Sequence, residues 1–79
     1  MKLEAVIKEL REAKENGYHG FIEVTIPWKN DTEFIVNKPE SIENKIEYYK
    51  KAYDDNGVHK HCSDIKIVDA GSFVWDTED

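Results

Sequence analysis

The sequence predicts a single α+β domain over residues 1–79, built in two layers, with a three-stranded sheet packed against two helices in the order αββαβ. Three observations predict it. Apolar residues recur every three or four positions near both 3–16 and 42–53, the signature of amphipathic helices. Between and after those segments, β-branched and aromatic residues alternate with polar ones, as in half-buried strands. Finally, 79 residues suffice for one small core and not for two.

In the first helix Leu3, Val6, Ile7, Leu10 and Ala13 form one stripe, while Glu4, Lys8, Glu12 and Glu15 lie away from it. Glu4 and Lys8 form an i,i+4 pair in the favourable order. Asn16 and Gly17 make a stop, because glycine takes the left-handed conformation without a Cβ clash. Residues 20–28, GFIEVTIPW, form the first strand, with Ile22, Val24 and Ile26 on the buried side. Pro27 ends its pairing. KNDT is turn chemistry, and TEFIVN (32–37) returns as the second strand after a loop of about five residues. On this reading Glu23, Thr25 and Glu33 lie toward the sheet face that the helices leave open.

Pro39 suits the first position of the second helix, where Glu40 and Glu43 complement the positive end of the dipole. Ile42, Ile46, Tyr49, Ala52 and Tyr53 form its stripe. Two aspartates at 54 and 55 sit unfavourably for the dipole, so Asn56 and Gly57 carry the stop. DIKIVDAGSFVW (64–75) reads as the third strand, with Gly71 marking a bulge. The acidic residues 76–79 read as a frayed tail.

Seventeen acids against eleven bases give a net charge of −6, which disfavours direct nucleic-acid binding and anionic membranes and favours a basic protein partner. The opening segment carries charges every few residues, so it lacks the apolar core of a signal peptide, and no stretch reaches the ~20 apolar residues of a membrane span. One cysteine forms no intramolecular disulfide. These features fit a cytoplasmic protein.

VHKHCSD (58–64) is the densest cluster of ligand-type residues. On an extended segment His59 and His61 point to one side, with Cys62 and Asp64 on the other. Metal binding by His59 and His61 needs further ligands, with His19 and Cys62 as the candidates. The plainer reading is a polar connection with Cys62 as a small packing residue. Base activation of Cys62 by its neighbour His61 is geometrically difficult. No phosphate loop, zinc-protease motif or calcium loop occurs, and Arg11 is the sole arginine. No catalytic activity and no cofactor are expected.

The acids and tryptophans are the candidate contact residues. Glu40, Glu43 and Glu47 on the second helix, with Asp64, Asp69 and Asp76, form an acidic surface suited to a basic groove. Trp28 and Trp75 are candidate anchors, since tryptophan dominates interface hot spots. Two further readings are the metal-binding protein and a homodimeric module without external ligand.

An amphipathic opening helix ending in ENGY, a strand FIEVTIP, then EYYKKAYDDN and a closing strand IKIVDAG together cover most of the chain. This layout resembles small acidic accessory proteins of phages and prophages of Gram-positive bacteria, a class that includes anti-CRISPR inhibitors. The resemblance implies a host-directed binder of a nucleic-acid-binding enzyme, working in the bacterial cytoplasm. It carries over no individual functional residue.

Overall fold

A computed structural model describes residues 1–74. Its elements are α1 (Leu3–Glu15), β1 (His19–Ile26), β2 (Asp31–Asn37), a 3-10 turn (Pro39–Ser41), α2 (Ile42–Ala52), β3 (Val58–His59) and β4 (Cys62–Phe73). The sheet has four strands rather than three, in the order β2-β1-β4-β3, and every pairing is antiparallel. No helix among the described residues is long and apolar enough to cross a membrane.

The α1 stripe buries Leu3, Val6, Leu10 and Ala13. The helix ends in a paired cap: the Gly17 N–H donates to Lys14 O and the Tyr18 N–H to Ala13 O, with Gly17 at φ +72°. Asn16 and Gly17 therefore act as their chemistry predicts. β1 alternates strictly, turning Gly20, Ile22, Val24 and Ile26 toward the helices. A Cβ at Gly20 would come 2.8 Å from Leu10 Cδ2 and 3.3 Å from Ile42 Cδ1, so both helices lie on this one face and pack close. Ile42, Ile46, Tyr49, Tyr53, Ile67 and Ala70 complete the core.

α2 departs from expectation at both ends. Pro39 opens a 3-10 turn, and the α-helix starts only at Ile42. Tyr53 is buried, but from an extended conformation beyond the last helical turn. The stop is shared. Asp54 Oδ1 accepts the N–H groups of Asn56 and Val58, and Lys60 Nζ donates to the terminal carbonyl of Lys50. Asp54 thus acts through its hydrogen bonds, which outweigh its unfavourable position on the dipole.

The one bulge between β1 and β4 lies at Val68, not at Gly71: Glu23 pairs with Asp69 and Val24 with Ile67. Thr25 mends the ladder there. Its hydroxyl donates to Asp64 O (2.7 Å) and accepts the Lys66 N–H (3.0 Å). Pairing runs without a break through Gly71, and a Cβ there would stand 3.0 Å from Phe21 Cε1. Gly71 makes room for an aromatic ring.

Candidate protein-binding face

Residues directly opposite in an antiparallel pair share a face. Phe21 pairs with Val36 and Gly71, Glu23 with Phe34 and Asp69, Thr25 with Thr32, and His19 with Phe73. All of these lie on the face away from the helices. The Phe21 ring meets Phe34 edge-on at 5.6 Å and Phe73 at 6.3 Å, and His19 lies 5.6 Å from Phe73. Phe34 keeps 60% of its surface exposed and Val36 47%. One end of the open face is therefore aromatic.

The row that carries Phe34 is also acidic. Glu23 and Asp69 stand directly opposite each other. Like charges in that position destabilise a sheet. Each carboxylate has a local hydrogen bond, Glu23 from the Thr32 hydroxyl and Asp69 from the Ala70 N–H, but neither pairs with a cation among the described residues. Asp69→Asn keeps an acceptor for the Ala70 N–H and removes the repulsion. It is expected to raise the thermal midpoint by roughly 2–5 °C, read by circular dichroism. An unchanged or lower midpoint would show that the two charges do not oppose each other.

The sequence-derived candidates do not converge on one surface. Glu43 sits in the helix layer, bound by Arg11 through both carboxylate oxygens (3.2 and 3.3 Å), with Lys14 Nζ at 3.4 Å. The Arg11 hydrogen bonds hold its carboxyl below the usual range. Glu47 lies 3.6 Å from Lys50, and Glu40 is exposed in the 3-10 turn. Asp69 lies on the opposite side of the sheet, and exposed Asp64 lies near the start of β4. Trp28 stands in the β1–β2 loop with 72% of its surface exposed, outside the core. Trp75, Asp76 and the tail lie outside the described residues.

Glu33 is a correction. It pairs with Val24 and so belongs to the helix side. The aromatic patch was missed for the same reason, although Phe21 shares the parity of Glu23 and offered a signal.

The histidine-rich segment is a hairpin turn, not a simple connection. The Asp54 N–H donates to Val58 O, the Lys60 N–H to Ala52 O, and the His61 N–H to His59 Nδ1 at 3.1 Å. His59 packs edge-on against Tyr53. Half-buried Cys62 pairs with His59 at the start of β4. His19 pairs with Phe73 at the strand's far end, roughly 30–35 Å along β4. His59 and His61 stay together, with ring centroids 6.0 Å apart, and Cys62 is paired with His59, but His19 is remote from all three. Among the described residues, no group of three or more His, Cys, Asp or Glu side chains is placed to hold a metal. An open groove of about 530 Å³ lies between the start of α1 and this turn, over Leu3, Ile7 and Tyr53, with charges of both signs at its rim.

No protein-family model, curated protein or solved structure matches the chain.

Proposed function

We propose that this protein is a binding module that takes a basic protein surface onto the open face of its sheet. The observation that carries this reading is the opposed pair Glu23 and Asp69 beside the exposed ring of Phe34 and the half-buried rings of Phe21 and Phe73. Such a surface complements a segment rich in lysine or arginine. The carboxylates take the cations, and the rings take the alkyl stems and guanidinium planes. The net charge of −6 speeds encounter with a basic partner. Nucleic-acid-binding enzymes present surfaces of this kind, so a phage-type inhibitor of such an enzyme falls within the same reading. The split of the acids between two layers favours the open face over a single acidic ridge on α2.

The test is capture from a Gram-positive bacterial lysate at low salt with three baits: the unaltered protein, Glu23→Lys/Asp69→Lys, and Glu40→Lys/Glu47→Lys. The unaltered protein and the helix variant are expected to retain the same partner, released by rising salt. The sheet-face variant is expected to lose it by tenfold or more. Loss confined to the helix variant would transfer the contact to α2. Retention that ignores salt and both variants would remove the electrostatic reading altogether.

A further inference from the structure

The two edges of the sheet are finished differently. β3 is two residues long, irregular in register and followed by Lys60, devices that discourage strand addition. β2 has none of them in its interior. It runs seven residues, pairs with β1 without a register break, and contains no proline or lysine. Among the described residues no strand pairs with its outer edge. That edge also carries Phe34 and Val36, two of the more exposed large apolar side chains.

We propose that two copies of this chain pair through β2, antiparallel about a two-fold axis at Phe34, joining two four-stranded sheets into one of eight strands. The strand is complementary to itself in this register. Phe34 faces Phe34 of the second copy, Glu33 faces Ile35, Thr32 faces Val36 and Asp31 faces Asn37. All seven residues are used and no two like charges stand opposite. Centring the axis on Glu33 would oppose two glutamates, and centring it on Thr32 would set Asp31 against Glu33. Centring on Ile35 leaves two residues of each strand unpaired. The chosen register also extends the aromatic row. Phe34 already packs on Phe21, so the rings run Phe21, Phe34, Phe34, Phe21 across the axis. A C2 interface requires this kind of self-complementarity. The inference rests on the strand edge and not on the charged face, so it stands or falls apart from the binding reading.

The register is tested by cross-linking the full chain in a Cys62→Ser background. Directly opposed Cβ atoms lie about 4.5–5.5 Å apart, close to disulfide range. Phe34→Cys is therefore expected to form a covalent dimer under mild oxidation, while Thr32→Cys, whose copies stand two residues to either side of the axis, stays largely monomeric. Sedimentation of the unaltered protein should show a mass rising with concentration from 9.2 kDa toward twice that value, and Phe34→Lys should abolish the rise. A constant monomer mass at every concentration would overturn the proposal. So would cross-linking at position 32 as efficient as at 34, or a Phe34→Lys variant that still dimerises.

Discussion

Replacing Gly57 by alanine is expected to lower the thermal midpoint by 15 °C or more, or to prevent folding, on the order of 3 kcal/mol or more. Two independent terms add there. Gly57 has φ +76°, where an L side chain costs about 1–2 kcal/mol. A Cβ at this position would also stand 2.1 Å from the carbonyl oxygen of Met1, a backbone atom with little room to move. The surrounding hydrogen bonds hold it: Gly57 O accepts the Ile67 N–H at 2.8 Å, and Asp55 O accepts the Leu3 N–H at 3.0 Å. Gly57 thus joins the start of α1, the α2–β3 turn and β4. Gly17 separates the two terms. It has φ +72° but nothing within 4 Å of a Cβ, so Gly17→Ala measures the conformational cost alone. Asparagine tolerates the left-handed region better than alanine. Gly17→Asn should therefore be mild, whereas Gly57→Asn should remain severe. Equal midpoints for the 17 and 57 variants would show that the Met1 carbonyl moves aside freely. For a chain with a total stability of roughly 4–12 kcal/mol, the severe outcome approaches global unfolding.

The contrast between these glycines also marks what was legible in the sequence. Asn16 and Gly17 end a visible stripe, so the α1 cap follows from local chemistry. The role of Gly57 depends on Met1, 56 positions away. The sheet shows the same division. Alternation in FIEVTI fixes which β1 residues are buried. TEFIVN has three adjacent apolar residues, Phe34, Ile35 and Val36, and leaves its parity open. The hairpin loop settles it: Ile26 pairs with Asp31, leaving four loop residues instead of about five. A change of one residue turns every side chain of the strand over. That is why Glu33 faces the helix side and Phe34 the open side. β3 escaped because two residues carry no period, and its position is set by backbone bonds to residues 52–54. The Glu43–Arg11 pair spans 32 positions and joins two helices whose relative placement no local pattern reveals. Asp69 was a candidate for its charge alone, and its opposition to Glu23 emerged only with the register.

Tyr49→Phe is expected to destabilise the protein by about 1–3 kcal/mol, a fall of roughly 5–20 °C, although it removes a single oxygen. Asn37 is buried at the end of β2, and its Nδ2 donates to Tyr49 Oη at 3.2 Å. Its Oδ1 has no partner among the described residues. Removing the phenol leaves the whole amide buried and unpaired. Asn37→Val alone strands the Tyr49 hydroxyl instead. The double variant Tyr49→Phe/Asn37→Val removes both polar groups together and is expected to be more stable than Tyr49→Phe, with a coupling of about 1 kcal/mol or more. Strict additivity would show that the hydrogen bond contributes nothing beyond its separate groups. The pair also sets an alkaline limit. Burial raises the Tyr49 phenol above 10.0, against the opposing effect of the Asn37 hydrogen bond, and burial raises Tyr53 as well. A raised folded pKa means that the folded state holds its proton more tightly. This contribution is complete below the unfolded value and is lost as pH climbs from about 10 through the folded pKa. The thermal midpoint of the native protein should therefore fall more steeply above pH 10 than that of Tyr49→Phe, and equal slopes would place the alkaline loss elsewhere.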